Sequence, residues 1–203
     1  MPLRQPAVFI DKDGTLIDNL PYNADPAKIR LASGAAEGLM LLRAAGFRLL
    51  LISNQPGIAL GILTDSALSL AYRHLLHLLA RETRMQAGSL LDGFYYCPHS
   101  PDTCKQTPGD FSSGCHCRKP APGMLLHAAR EHGLDLKRSW MIGDILDDVE
   151  AGHRAGCRSA LIDNGNETEW VAGRLRTPDA VATRFDEAAR LICQAGSALR
   201  ASG

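Results

Sequence analysis

Residues 7–15 read Ala-Val-Phe-Ile-Asp-Lys-Asp-Gly-Thr, and this stretch restricts the fold more than any other. Ala7 to Ile10 is an unbroken apolar run of strand length, the pattern of a strand buried on both faces. Asp11 and Asp13 leave its carboxyl end together, and Gly14 lets the backbone turn sharply behind them. Open parallel sheets place ligands at such strand ends. Asp11 is therefore a candidate nucleophile and Asp13 a candidate proton donor and acceptor, provided a cation holds their charges together. Paired aspartates before a glycine also mark ordinary surface turns. A calcium loop is excluded, because Leu16 and Tyr22 stand where that loop needs Gly and Glu.

The rest of the chain alternates between strands and helices. Residues 16–32 read as a loop with Pro21 and Pro26, and residues 34–45 as a helix stopped by Gly46. Residues 47–52 form a second buried strand, ending in the turn Ser53-Asn54-Gln55-Pro56-Gly57. A long helix is predicted over 64–85, with Leu at helical spacing, and a third strand over 92–96. Further helices are predicted over 122–132, 146–155 and 185–199, and strands over 139–142, 159–162 and 180–183. Such alternation predicts a three-layer α/β fold, a parallel sheet with helices on both faces. With 203 residues and no repeat or linker, residues 1–203 are expected to form one domain.

Right-handed crossovers bring the carboxyl ends of parallel strands to one edge. That edge collects Asp11 and Asp13, Ser53 and Asn54, Lys119, and Asp144 with Asp147 and Asp148. A hydroxyl and an amide at a tight turn can hold phosphate oxygens, and a lysine adds a compact positive charge. Asp11, a backbone carbonyl at Asp13 and Asp144 can together hold Mg²⁺. Each piece has a plain alternative: a common turn pair, a solvated charge, a helix N-terminus that favours acids.

Residues 97–122 are rich in Pro, Gly, Ser and Cys and too long for an ordinary connection. Cys97-Pro98-His99 and Cys115-His116-Cys117 bracket them. Three thiolates and an imidazole, from Cys97, His99, Cys115 and Cys117, suit a closed structural zinc, with Cys104 and His116 as competing ligands and free thiols as the alternative. Such a zinc would order the loop at about 97–117 and aim Arg118 and Lys119 at the pocket. Cys157 and Cys193 fall on regular elements and read as small core residues.

Asp11-Lys12-Asp13-Gly14-Thr15, Ser53-Asn54, Lys119 and Gly143-Asp144 with Asp148 resemble the four motifs of the haloacid dehalogenase (HAD) superfamily. The resemblance implies a Rossmann-like HAD fold and an aspartyl-phosphate mechanism. Asp11 would attack phosphorus, Asp13 would protonate the leaving alcohol and then activate water, and Ser53 and Lys119 would stabilise the phosphoryl oxygens. The cysteine loop, with Arg118-Lys119-Pro120 and Ser53-Asn54-Gln55, resembles the D-glycero-D-manno-heptose 1,7-bisphosphate 7-phosphatases and the related histidinol-phosphatase domains. Those lack a large cap domain. The resemblance places Asn19, Tyr22, Asn54, Gln55 and Arg118 against the substrate, although Asn19-Leu20-Pro21 and Pro56 depart from the polar residues expected there. Residues 163–176 match nothing recognisable.

The expected activity is Mg²⁺-dependent hydrolysis of the 7-phosphate of heptose 1,7-bisphosphate, in the pathway to lipopolysaccharide heptose. Histidinol phosphate or another small phosphomonoester is the alternative substrate, and a zinc-stabilised binding module the alternative class. Lys+Arg and Asp+Glu are both 22, without a basic stripe, which argues against a nucleic-acid partner. No apolar run is long enough to span a bilayer, and residues 1–5 are too short for a signal peptide, so a cytoplasmic monomer with no membrane partner is expected.

Overall fold

A computed structural model describes residues 4–23, 25–102, 104 and 115–201, so residues 103 and 105–114 of the expected zinc loop lie outside the described residues. Strand β1 (Ala7–Asp11) is buried along its whole length, as its apolar run requires. It pairs in parallel with β2 (Arg48–Asn54) on one side and β4 (Trp140–Gly143) on the other. Parallel pairings to β3 (Gly93–Cys97), β5 (Arg158–Ile162) and β6 (Ala180–Ala182) complete a sheet of order β3-β2-β1-β4-β5-β6.

The pleat of β1 divides its side chains between two cores. Val8 and Ile10 pack with Leu39 and Leu42 of α1 (Ala35–Ala44), Leu75 and Leu79 of α2 (Asp65–Thr83), and Phe185 and Ile192 of α5 (Phe185–Ala201). Ala7 and Phe9 face the other way, toward Met124 and Leu125 of α3 (Gly123–His132) and Ala151 and Ala155 of α4 (Leu146–Ala155). Each large side chain buried in this way contributes about 2 kcal/mol. The result is the expected three layers.

Helix α2 is shorter than its apolar pattern. Thr64 caps it, accepting from the Ala67 amide at 3.1 Å, and Arg84 turns left-handed at its end. Two single-turn 3₁₀ helices, Pro26–Lys28 and Leu136–Arg138, punctuate segments that the sequence leaves irregular. Cys157 is buried and Cys193 half-buried, as expected of core residues.

The sheet order reverses between β1 and β4, and the crevice outside the carboxyl ends of those two strands is where open α/β sheets bind ligands. β1 delivers Asp11 to that crevice, and β4 delivers Gly143 with Asp144 just beyond. The six strands named among the described residues all belong to this one sheet.

Candidate active site

Lys119 joins the strand ends. Its Nζ donates to the Asp11 carboxylate, lies 2.5 Å from Asp148 Oδ1 and 3.4 Å from the Ile52 carbonyl. Carboxylate oxygens of Asp11, Asp144 and Asp148 lie within 4.8 Å of one another, and all three residues are buried. Burial, opposed by Lys119 and reinforced by Asp148, pushes the Asp11 carboxyl up to about 7. Burial and the charge of Asp11 push Asp144 to about 6, and burial pushes Asp148 to about 6 against the pull of Lys119. Burial alone would pull Lys119 down, but Asp11 and Asp148 hold it above the usual lysine range. Three carboxylates and one ammonium leave excess negative charge in a dry site. Oxygen donors of that kind fit a hard divalent cation.

Asp144 is anchored on both oxygens. Thr15 Oγ1 donates to its Oδ1 at 3.0 Å and Asn166 Nδ2 to its Oδ2 at 2.7 Å. Gly14 turns beneath it at φ 87°, and a Cβ there would lie 2.1 Å from Asp144 Oδ2. Only glycine satisfies both the conformation and the approach.

The Asp13 carboxylate stands outside the acidic trio. Its oxygens accept from Lys12 Nζ at 2.6 Å and from Gln55 Nε2 at 2.9 Å. Its side chain is therefore held by Lys12 and Gln55 rather than by the acidic trio. Gln55 Nε2 also donates to Ser53 Oγ at 2.7 Å, so one amide links the hydroxyl expected to hold phosphate with the acid–base residue.

Residues expected at the substrate divide into two groups. Asn54 turns both ends of its amide to the Lys119 backbone, donating to the carbonyl at 3.1 Å and accepting from the amide at 3.0 Å. Its side chain thus holds Lys119 rather than facing the cleft. Asn19, Tyr22 and Arg118 lie on loops outside the strands. Asn19 Nδ2 lies 3.5 Å from Asn166 Oδ1, and Arg118 donates to the His99 carbonyl at 3.2 Å. Tyr22, left-handed at φ 56° and half exposed, packs against Gly57 and so joins the loops after β1 and β2.

At the cysteine loop, His99 Nδ1 lies 3.5 Å from Cys97 Sγ and 3.4 Å from Cys117 Sγ, and Cys97 Sγ lies 3.8 Å from Cys115 Sγ. Tetrahedral zinc separates its ligand atoms by about 3.6 Å (S to N) and about 3.8 Å (S to S), so these separations fit. Cys97 and Cys117, at 2.9 Å, are closer than that. The fourth corner departs from expectation: Cys115 is disulfide-bonded to Cys104, and in that form it has no thiolate to give a metal. The competing residue Cys104 lies in the same cluster as Cys97, His99 and Cys115.

The sequence reading missed Asn164, Asn166 and Glu167, which reach the site from the loop after β5. Besides the Asn166 bond to Asp144, Asn164 Nδ2 donates to the Gly14 carbonyl at 2.7 Å, and Glu167 Oε2 accepts from the Leu146 amide at 2.6 Å. The available signal was Asn-Gly-Asn directly after a buried strand, a turn at the ligand-binding edge. Lys12 was likewise unassigned.

Comparison with known proteins agrees with this geometry. A family model described as HAD-hydrolase-like matches residues 116–188. A D-glycero-beta-D-manno-heptose-1,7-bisphosphate 7-phosphatase from Photorhabdus laumondii is 35% identical, over 92% of this chain and 89% of that protein. The protein of the same description from Escherichia coli K12 is 33% identical, over 84% and 90%. A crystal structure of the D,D-heptose 1,7-bisphosphate phosphatase from B. bronchiseptica, complexed with magnesium and phosphate, superposes with a TM-score of 0.76 at 27% identity, covering 94% of this chain and 99% of that one. The four motifs, the sheet order and these likenesses converge: the chain belongs to the D,D-heptose 1,7-bisphosphate phosphatase family of the HAD hydrolases.

Proposed function

We propose that this protein removes the 7-phosphate of D-glycero-D-manno-heptose 1,7-bisphosphate through a phosphoryl group carried transiently on Asp11. One observation carries the chemistry: a buried Lys119 paired with both Asp11 and Asp148, beside Asp144. Asp11, Asp144 and the Asp13 carbonyl are assigned to Mg²⁺, which when bound neutralises charge between phosphate and carboxylates.

The steps then follow from the chain's own groups. Asp11 attacks phosphorus in line, forming an O–P bond as the bond to the sugar oxygen breaks. Asp13, placed by Lys12 and Gln55, gives its proton to the departing alkoxide. It then takes a proton from the water that hydrolyses the acyl phosphate, which returns Asp11 free and releases inorganic phosphate. Ser53 and Lys119 hold the phosphoryl oxygens, with Ser53 oriented by Gln55. Asn19, Tyr22 and Arg118, on loops outside the strands, are assigned to the sugar and its second phosphate. Zinc is assigned to Cys97, His99 and Cys117, with Cys115 as fourth ligand once its disulfide is reduced. The same reading takes residues 1–203 as one domain and the protein as a cytoplasmic monomer; no described helix is long and apolar enough to cross a membrane.

Phosphate release from the α and β anomers of the bisphosphate, set against histidinol phosphate, tests the substrate. The expected result is a higher kcat/KM on one or both bisphosphate anomers. A higher value on histidinol phosphate would overturn the heptose assignment while leaving the phosphatase chemistry in place.

A further inference from the structure

We infer that Asn166, with Asn164 behind it, is a positioning residue of the acidic centre: it fixes the Asp144 carboxylate in the orientation that receives a divalent cation. The inference rests on the magnesium assignment above. Asp144 accepts a neutral donor on each oxygen, Thr15 Oγ1 at 3.0 Å and Asn166 Nδ2 at 2.7 Å. A carboxylate held at both oxygens cannot swing about its Cβ–Cγ bond, yet each oxygen keeps lone-pair capacity for a cation. An amide donor adds no charge. It therefore orients Asp144 without competing with the cation, as a lysine in its place would.

The loop that carries Asn166 is itself braced from several sides. Asn164 Nδ2 donates to the Gly14 carbonyl at 2.7 Å, while Asn164 Oδ1 accepts from the Asn166 amide at 3.2 Å. Glu167 accepts from the Leu146 amide at 2.6 Å, the first residue of α4. Farther along, Arg176 bonds Asp147 at 3.0 Å and Glu150 at 2.7 Å on the same helix. Residues 164–167 thus tie the turn after β1 to the start of α4, the two segments that follow Asp11 and Asp144. Asn19 completes the arrangement, with its Nδ2 on the far side of the Asn166 amide.

Removing a partner that orients a metal ligand lowers metal affinity by about 10–100-fold. The test is calorimetric titration of the full chain with MgCl₂, without substrate, for wild type, Asn166→Ala, Asn166→Ser and Asn164→Ala. Thermal unfolding of each metal-free protein is measured alongside. The expected result is Mg²⁺ affinity weakened about 10–100-fold in Asn166→Ala and in Asn166→Ser, whose side chains are too short to reach Asp144, and less in Asn164→Ala. Unchanged Mg²⁺ affinity in either folded Asn166 variant, with only a lowered unfolding temperature, would reduce the residue to a structural role and overturn the inference. Should Asn166→Ala fail to fold, the serine and Asn164 variants decide the matter. A wild-type protein that binds no Mg²⁺ would instead refute the magnesium assignment itself, so the two failures are distinct.

Discussion

Asn54 grips the Lys119 peptide from both sides, donating to its carbonyl at 3.1 Å and accepting from its amide at 3.0 Å. The two residues come from strand β2 and from the end of the cysteine loop, 65 positions apart, and this reciprocal pair fixes the backbone from which Lys119 reaches Asp11. Asn54→Ala removes both bonds and leaves two backbone groups to find other partners. Turnover is expected to fall on the order of 100-fold, because a displacement of about 1 Å at a reacting group has that effect. Asn54→Asp keeps the acceptor and should fall less. Steady-state kinetics at saturating Mg²⁺ measure both.

Asp11→Asn keeps the shape of the buried cluster but not the nucleophile. A loss of at least about 10³-fold in kcat is expected, with the fold intact by circular dichroism. Trapping of labelled phosphate on wild type but not on the variant reports the covalent step. A substantial residual rate would mean that water attacks phosphorus directly.

The acidic trio makes metal-free stability depend on pH in a particular direction. Asp11 is raised to about 7, and Asp144 and Asp148 to about 6, all above the ordinary carboxylate value. A carboxyl whose folded pKa is raised binds its proton more tightly when folded. Its contribution to stability is therefore greatest at low pH and declines as pH rises from the unfolded toward the folded value, here from about 4 to about 7. Mg²⁺ held by Asp11 and Asp144 would displace their protons. The gap in unfolding temperature between Mg²⁺-bound and metal-free protein should widen across that window, and differential scanning fluorimetry from pH 4.5 to 7.5 reads it. A gap that does not change with pH would contradict the raised values.

Cys104, disulfide-bonded to Cys115, would compete with a zinc for it. Reduced protein is expected to carry about one zinc per chain. Hydrogen peroxide, taking two electrons as the Cys104 and Cys115 thiols join, should release it from wild type but not from Cys104→Ser. Cys117→Ser should lose zinc under all conditions and lose activity through Arg118 and Lys119. Elemental analysis and thiol counting check each case. Full activity in a zinc-free Cys117→Ser protein would separate the loop from the catalytic site.

Much of this was legible in the sequence where local rules apply. The apolar run before Asp11 identified a strand buried on both faces, and the five α-helices among the described residues lie where periodicity and turn residues put them, within a few residues. The charged members of the site were legible because several of them arrive together at one sheet edge, although each alone has a plain alternative. The neutral ones were not. Asn164 reaches Gly14 across 150 residues, and Asn166 reaches Asp144 from a loop without hydrophobic periodicity. A neutral amide in an irregular loop reads like any turn residue until the sheet brings it home. Asn54 misled for a related reason: its position beside Ser53 was right, but its amide could as well face a ligand as the chain. The Cys104–Cys115 bond was invisible because spacing alone cannot choose among six neighbouring donors.

The placement of Asp11 on the innermost strand, flanked by β2 and β4 and packed above and below, separates two evolutionary tasks. Bond-breaking machinery sits in the stiffest part of the protein, where sequence change is least tolerated. Recognition, as proposed for Asn19, Tyr22 and Arg118, would fall to surface loops, where change is tolerated best. A lineage could therefore exchange one sugar phosphate for another by rewriting those loops, while the catalytic strand passed unaltered from one preference to the next.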